Sequence, residues 1–295
     1  MASRIFWRNS DQFSDTKSAL HFFQNAYSNK QPPRGLIWLV HGLGEHLQRY
    51  GEFAQFLNQA GFDVAGIDLP GHGLSWKKGG QDTLPSIEES IREIKDSIRF
   101  LHKEHYGASL NSRWSLMGHS MGALISLCWT LDEKRLDANE SFAHKLVLSA
   151  PPLELRLQVP PYKIFLAEKL KETLPNLKID GGFYPKDLSH DLVQVFENAA
   201  DPMCYAKATP KLFVSLRGAA ESCLNSYNSV DVPTMLVVGE KDPIVQPSAI
   251  EKYFEKLNTS KKLIKVNGAF HETLNELNRK DLYEGVLSWL QTSNS

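Results

Sequence analysis

Short apolar runs alternate with longer amphipathic stretches along the 295-residue chain, and this alternation constrains the fold most strongly. The runs are rich in leucine or β-branched residues and are bounded by Gly, Pro, Asn or Asp, which is typical of strands. Their near-continuous apolar character indicates parallel strands that are covered on both faces. The predicted strands are Gly35–Val40, Phe62–Asp68, Trp114–Met117, Lys145–Ala150, Thr234–Gly239 and Leu263–Val266, with Leu20–Tyr27 as an earlier edge strand.

Apolar residues recur at helical spacing between these runs. Ser86–His105, for example, carries isoleucine or leucine at positions 87, 91, 94, 98 and 101. The other predicted helices are Arg49–Ala60, Ala123–Leu131, Ile250–Leu257 and Leu282–Leu290. The alternation of strands and helices predicts an α/β fold with a mostly parallel central sheet flanked by helices.

The interval 151–230 departs from this rhythm because it is rich in proline and shows no convincing strand. At about 80 residues it is too long for an ordinary connection. We expect an inserted helical cap over 151–230, with the catalytic core formed by 1–150 and 231–295. The stretch 159–174 is amphipathic, with Tyr162, Phe165, Leu166 and Leu170 on one face and Lys169 interrupting it. That face could line an acyl-chain pocket, contact a bilayer or pack on the core.

Composition excludes several classes of protein. Lys and Arg number 33 and Asp and Glu 34, so the net charge of −1 makes nucleic acid a poor partner. The three cysteines are widely spaced and form no C-x-x-C pair, which suits a reducing compartment. Residues 1–10 lack the apolar segment of a secretory signal, and no apolar run approaches the ~18 residues that span a bilayer. We therefore expect a cytoplasmic protein.

The strongest chemical signal is Gly118-His119-Ser120-Met121-Gly122, which follows a predicted strand and precedes a predicted helix. This context is that of a nucleophile elbow, a sharp turn that exposes a strained serine at the end of the sheet. The Met121 N–H at the start of the helix could stabilise a developing oxyanion. Ser120 is therefore the predicted nucleophile.

A serine hydroxyl needs a base, and in this fold the chain order is serine, acid, histidine. Asp242 follows the strand Thr234–Gly239, and His271 follows the last predicted strand. Both side chains would then lie at the same edge of the sheet as Ser120. We predict that Asp242 orients His271 and that His271 exchanges the Ser120 proton.

The turn after Gly35–Val40 reads His41-Gly-Leu-Gly-Glu-His46 and lies at the same edge. Its glycines allow close backbone approach to a ligand, so the Leu43 N–H is the predicted second oxyanion donor. His41 and His46 do not make a metal site with any evident third ligand, and His41 is expected to be a structural hydrogen-bonding residue. No metal and no cofactor are expected.

The combination of motifs resembles the monoacylglycerol lipase and lysophospholipase branch of the α/β-hydrolases, which is grouped with serine-aminopeptidase-like hydrolases. The resemblance covers most of the chain. It rests on His41-Gly-Leu-Gly-Glu-His-x-x-Arg-Tyr50, Asp68-Leu-Pro-Gly-His-Gly-Leu-Ser75, Gly118-His-Ser-Met-Gly122, Gly239-x-x-Asp242-x-x-Val245 and His271-Glu272.

The resemblance implies hydrolysis of a small amphiphilic, single-chain acyl ester through an acyl-enzyme, beneath a cap that could contact a membrane. It further implies that Glu45, Arg49 and His119 help to bind the polar head of the substrate. Three departures, Ala123 after the elbow, no Tyr-x-x-Asp in Ser86–His105 and Trp76-Lys77-Lys78 after Ser75, leave substrate detail open.

Alternatives with the same triad are an aminopeptidase, a thioesterase, a C–C hydrolase and a general carboxylesterase. A peptidase needs an acidic group to hold the substrate amine, a role that Glu45 could fill. Epoxide hydrolases and dehalogenases are disfavoured because their nucleophile would be an Asp at position 120. A non-enzymatic binding protein is disfavoured by the complete set of catalytic residue types.

Overall fold

An eight-stranded sheet forms the centre of the protein. The computed structural model describes residues 4–9, 17–23, 33–75, 83–106, 114–131, 143–157 and 159–292. The sheet order is β1-β2-β4-β3-β5-β6-β9-β10, and β1, β2 and β4 pair antiparallel while the other pairs are parallel. Its strands are β1 (Arg4–Asn9), β2 (Lys17–Phe23), β3 (Gly35–Val40), β4 (Phe62–Ile67), β5 (Trp114–His119), β6 (Leu146–Ser149), β9 (Thr234–Gly239) and β10 (Lys261–Val266). The predicted fold class is confirmed.

Burial on both faces explains why the central strands are apolar throughout. Alternate side chains of β3 enter different cores, because side chains of a strand point to opposite faces. Leu36, Trp38 and Val40 belong to one apolar cluster, and Ile37 and Leu39 belong to the other. All five are at most 2% exposed. A strand with one wet face would alternate apolar and polar residues instead.

The amino-terminal end of the sheet differs from the prediction. We expected Leu20–Tyr27 to be an edge strand, but β2 lies inside the sheet between β1 and β4. Residues 24–27 lie outside the described part of the chain. The edge is β1, which was not predicted because its sequence, RIFWRN, mixes charged and apolar residues in a short run. Charged residues on an edge strand protect it from pairing with another chain.

Eight α-helices occur in the described residues, and three of them lie between β6 and β9. They are α1 (Gly51–Gln59), α2 (Ile87–Leu101), α3 (Met121–Leu131), α4 (Pro161–Thr173), α5 (Leu192–Ala200), α6 (Pro210–Asn225), α7 (Pro247–Lys256) and α8 (Arg279–Gln291). The start of α2 shows why the boundaries fall where they do. Ser86 Oγ accepts a hydrogen bond from Glu89 N at 3.2 Å, and the Glu89 carboxylate accepts one from Ser86 N at 2.7 Å. This reciprocal capping box satisfies two otherwise unpaired amides.

The chain between β6 and β9 carries α4, α5 and α6. It also contains a two-stranded antiparallel sheet, β7 (Ile179–Asp180) with β8 (Lys207–Ala208). The expectation of no strand in this interval was therefore wrong, because strands of two residues leave no periodic pattern in the sequence. Helix α6 packs against α2 and α3, and α4 packs against α6.

A search of the described residues for membrane-spanning helices gave none with sufficient length and apolar character.

Candidate active site

Ser120 occupies the turn between β5 and α3, at the carboxyl end of the sheet. Its φ of 51° lies in the left-handed region, which costs free energy for a residue with a side chain. The turn is tight enough to require glycine on both sides. A Cβ at Gly118 would lie 2.2 Å from Gly122 O, and one at Gly122 would lie 2.1 Å from Val40 O. The Gly-x-Ser-x-Gly pattern is thus dictated by backbone crowding.

The structure brings Ser120, His271 and Asp242 together from three distant parts of the sequence. His271 Nε2 lies 2.8 Å from Ser120 Oγ, and His271 Nδ1 lies 2.7 Å from Asp242 Oδ2. The other Asp242 oxygen accepts hydrogen bonds from Ile244 N at 2.8 Å and Val245 N at 2.9 Å. These backbone donors fix the carboxylate, so the imidazole is held with Nδ1–H toward Asp242 and Nε2 free to accept a proton.

Charges around His271 and Asp242 support this arrangement. Burial alone would lower the pKa of His271, but the charge and hydrogen bond of Asp242 outweigh it and raise that pKa above its ordinary value. Burial would likewise raise the pKa of Asp242, but His271 and the two backbone amides hold it below its usual range. The pair therefore stabilises a proton on His271 while keeping Asp242 ionised.

The two predicted oxyanion donors flank Ser120. Met121 is the first residue of α3, where backbone N–H groups have no acceptor within the helix. Leu43 lies in the turn that follows β3, and both residues line the same cavity as Ser120. Both predicted donors thus belong to the cavity into which Ser120 opens.

Glu45 and Arg49, expected to bind the polar head of a substrate, lie in a buried ion network. Glu45 Oε1 accepts from Gly42 N at 2.5 Å and from Tyr50 Oη at 2.6 Å. Arg49 donates to Glu45 Oε2 at 3.3 Å and makes a two-pronged pair with Glu272 at 2.5 and 2.7 Å. Glu45 therefore holds the turn His41–His46, which we call the oxyanion turn. Arg49 links Glu45 to Glu272, the residue after His271.

Sequence reasoning missed Glu272 and Tyr50 as members of this network. The spacing of Glu45 and Arg49, four residues apart, could have indicated their pairing. No local signal could have found Glu272, which lies 223 residues from Arg49. Burial would raise the pKa of Glu272, but Arg49 lowers it to about 2, so the carboxylate is ionised.

His119, the third residue expected to bind the head group, lies behind the triad. It is 5% exposed, and its ring centroid is 5.0 Å from that of His271. Its Nδ1 lies 3.1 Å from Ser149 Oγ. Burial lowers the pKa of His119 to about 3, so the ring is neutral. Its edge lines the cavity next to Ser120.

The two histidines of the oxyanion turn have different partners. His41 Nδ1–H donates to Gly42 O at 2.8 Å, and His41 Nε2 accepts from Leu69 N at 2.9 Å. Both ring nitrogens are thus used in holding the backbone. His46 instead lies against the segment after α5, with Nε2 2.8 Å from Asp201 Oδ2 and with Cys204 nearby. This cluster was not foreseen from the sequence.

Ser120 opens into a cavity of about 630 Å³. Its walls are mostly apolar and come largely from residues after β6, including Leu157, Leu166, Leu170, Leu188, Phe213 and Leu216. Of the face predicted on α4, Tyr162, Leu166 and Leu170 line the cavity, whereas Phe165 points away and is 64% exposed. The side chains of this helix are thus divided between the cavity and the outer surface.

Comparison with known proteins gives the family. The sequence profile of the serine aminopeptidase S33 family matches residues 31–278. The chain is 26% identical over 261 residues to a monoacylglycerol lipase of Mycolicibacterium smegmatis, covering 88% of each. It is 24% identical over 270 residues to an abhydrolase domain-containing protein of Dictyostelium discoideum, covering 90% of this chain but 27% of that larger protein.

A solved structure agrees with these sequence matches. The crystal structure of a monoacylglycerol lipase from Paleococcus ferrophilus is similar with a TM-score of 0.78 and 30% identity, covering 92% of this chain and 97% of that one. The resemblance predicted from the motifs is confirmed. The chain belongs to the serine aminopeptidase S33 family of α/β-hydrolases, in the branch that contains monoacylglycerol lipases, and it is an enzyme of the serine ester hydrolase class.

Proposed function

We propose that the enzyme hydrolyses single-chain lipid esters, monoacylglycerols or lysophospholipids, through an acyl-enzyme on Ser120. The observation that carries this proposal is the Ser120–His271–Asp242 chain of hydrogen bonds at the mouth of a largely apolar cavity. An apolar cavity of this size suits one acyl chain. The monoacylglycerol lipases among its relatives support the same class of substrate.

In the proposed reaction Ser120 Oγ attacks the ester carbonyl while His271 Nε2 takes the hydroxyl proton. The oxyanion that forms accepts hydrogen bonds from the Leu43 and Met121 amides. Collapse of this intermediate gives the acyl-enzyme, and His271 returns the proton to the leaving alcohol. Water then attacks the acyl carbon with His271 again as base, releasing the fatty acid and regenerating Ser120.

Residues 151–230 serve in this proposal as a cap over the catalytic core. They supply most of the apolar cavity wall and also expose apolar side chains outward. Tyr162, Phe165, Leu192, Val193 and Phe196 are each 61–69% exposed on α4 and α5. An apolar surface of this kind suits peripheral contact with the lipid surface that holds the substrate.

Glu45 weakens the aminopeptidase alternative. A peptidase of that type would use a free carboxylate to hold the substrate amine, but Glu45 already accepts hydrogen bonds from Gly42, Tyr50 and Arg49. Burial raises the pKa of Glu45, and the Arg49 guanidinium, 3.3 Å away, opposes that rise. The proposed ester hydrolysis does not require a free carboxylate at Glu45.

The test is a panel of 1-monoacylglycerols, lysophospholipids, short p-nitrophenyl esters and aminoacyl amides, assayed with wild type and Ser120→Ala. We expect release of fatty acid from the lipid esters and a loss of at least about 10⁴-fold in kcat for Ser120→Ala. Ser126→Ala is the matched control, because Ser126 lies in α3 and its hydroxyl donates to the backbone oxygen of Gly122. Preference for the amides, or undiminished turnover by Ser120→Ala, would contradict the proposal.

A further inference from the structure

His46, Asp201 and Cys204 form a side-chain cluster outside the triad. Each offers one atom of a type that binds metals, and these three atoms all lie within 4.8 Å of one another. His46 is buried, and the other two are half-buried. His46 Nε2 and Asp201 Oδ2 are 2.8 Å apart although the residues are separated by 155 positions. The cluster thus joins the oxyanion turn to the segment that follows α5.

Local hydrogen bonds hold that segment in place. Asp201 Oδ1 accepts from Met203 N at 2.8 Å, and Cys204 N donates to Asp201 O at 3.0 Å. The resulting turn brings the carboxylate and the thiol into one cluster. Tyr205 N donates to Gly44 O at 2.9 Å and so fixes the turn against the loop that carries His46. Backbone contacts thus hold residues 201–205 beside the loop that carries His46, and the His46–Asp201 contact joins the two segments.

The cluster contains one carboxylate and one imidazole in direct contact, and Glu45 precedes His46 in the chain. His46 also has one ring nitrogen, Nδ1, that is buried with no hydrogen-bond partner among the described residues. His46 thus has one ring nitrogen, Nε2, against the Asp201 carboxylate and a second, Nδ1, that no described side chain or backbone group uses.

We propose that His46, Asp201 and Cys204 form a binding site for a divalent cation of the zinc class. One imidazole nitrogen, one carboxylate oxygen and one sulfur make a ligand set that this class of ion prefers over Mg²⁺ or Ca²⁺. Ligands at 2.0–2.3 Å in tetrahedral geometry are roughly 3.3–3.8 Å apart, so the side chains need shift by only about 1 Å. A water would complete the tetrahedron. The thiol proton leaves for solvent as the sulfur–metal bond forms, and no oxidant is involved.

The site would regulate the enzyme and take no part in its chemistry. Leu43 lies three residues before His46, and Cys204 lines the same cavity as Ser120. An ion held here would fasten residues 201–204 to the oxyanion turn and place a charge beside the cavity. We expect bound Zn²⁺ to slow ester hydrolysis. Binding of the ion itself does not depend on the proposed function.

Titration of the full-length protein with Cd²⁺ tests the site, because cadmium bound to a thiolate absorbs in the ultraviolet. We expect saturation at one equivalent in wild type and loss of the band in Cys204→Ser. Asp201→Asn should weaken binding at least about tenfold if its carboxylate is a ligand. The control is Cys128→Ser/Cys223→Ser, which removes the other two thiols and should keep the band. Circular dichroism melting of each variant checks that it is folded.

Zn²⁺ inhibition provides a second readout, with each variant normalised to its own metal-free rate on a short p-nitrophenyl ester. Half-inhibition should require at least about tenfold more Zn²⁺ in Cys204→Ser than in wild type. A cadmium band that survives in Cys204→Ser, or that disappears in the Cys128→Ser/Cys223→Ser control, would overturn the proposal. So would the absence of saturable binding in wild type. None of these binding outcomes bears on whether Ser120 hydrolyses lipid esters.

Discussion

Three side chains carry the proposed chemistry, and their surroundings divide the roles among them. Against burial, His271 and two backbone amides hold the pKa of Asp242 low, and the Asp242 charge in turn favours a proton on His271. Ser120 receives its exposed position from a backbone that only flanking glycines permit. The strained backbone of Ser120 and the buried charge of Asp242 are thus both held at the carboxyl edge of the sheet.

The acid limb of the pH profile reports on His271. The base must be neutral to accept the Ser120 proton, and Asp242 raises the pKa of His271 above 6.5. We therefore expect kcat/KM to fall as the pH drops, with an apparent pKa above 6.5. Asp242→Asn removes the charge, so the midpoint should move to lower pH while the rate falls by about 10⁴-fold. A profile that is flat from pH 8 to pH 5 would show that His271 is not the base.

Sequence alone predicted these three residues because each follows a strand in the expected order. The roles of Glu45 and Arg49 were harder to foresee. Their main partners are Gly42, Tyr50 and Glu272, and the hydrogen bond from Arg49 to Glu272 joins residues that are 223 positions apart in the chain. Motif resemblance locates a residue at a site, but it does not reveal which long-range partners already occupy its hydrogen-bonding groups.

Helix α4 shows how one element can serve two surfaces. Leu166 lines the cavity, while its neighbour Phe165 is 64% exposed and lies outside the cavity wall. Lys169 Nζ lies 5.6 Å from the Phe165 ring, so the interruption of the apolar face belongs to the outer surface. The sequence predicted the helix and its apolar residues, but it could not separate the inner from the outer ones because both occupy one broad face.

Matched substitutions on α4 should separate the two surfaces. Leu166→Asp places a charge in the acyl pocket, so kcat/KM for long-chain esters should fall at least about tenfold relative to short p-nitrophenyl esters. Phe165→Asp should leave hydrolysis of the short esters unchanged and reduce sedimentation with phospholipid vesicles. The proposed cap would be wrong if the two variants had the same substrate profile.

The strands and helices of the core were predicted closely, because both sheet faces are buried and the central strands are therefore mostly apolar. Predictions for β3 and β9 match their observed bounds, Gly35–Val40 and Thr234–Gly239. The edge strand β1 and the short pair β7–β8 escaped prediction. The sequence of β1 mixes charged and apolar residues, and β7 and β8 have only two residues each, so none of them shows the apolar pattern that predicts a strand.

Buried neutral histidines make the stability of the whole molecule sensitive to acid. Burial lowers the pKa of His41 to about 4 and that of His72 to about 3, against 6.5 in the unfolded chain. The unfolded state binds more protons below pH 6.5, so stability is greatest above that pH and is lost as the pH falls toward the folded values. Each histidine should cost up to about 2 kcal/mol of unfolding free energy between pH 6.5 and pH 5.

Urea unfolding at pH 7 and pH 5 measures this loss. His72→Gln removes one of these buried neutral histidines, so its unfolding free energy should fall about 2 kcal/mol less than that of wild type over the same interval. Equal losses in the two proteins would mean that His72 is not kept neutral by burial.

The central claim, an acyl-enzyme on Ser120, can be measured directly by rapid acid quench followed by mass spectrometry. During turnover of a long-chain p-nitrophenyl ester, the protein mass should rise by one acyl group, and peptide mapping should place that group on Ser120. Ser126→Ala should acquire the same adduct, and Ser120→Ala should acquire none. An acyl group on another residue, or an adduct that persists in Ser120→Ala, would contradict the account.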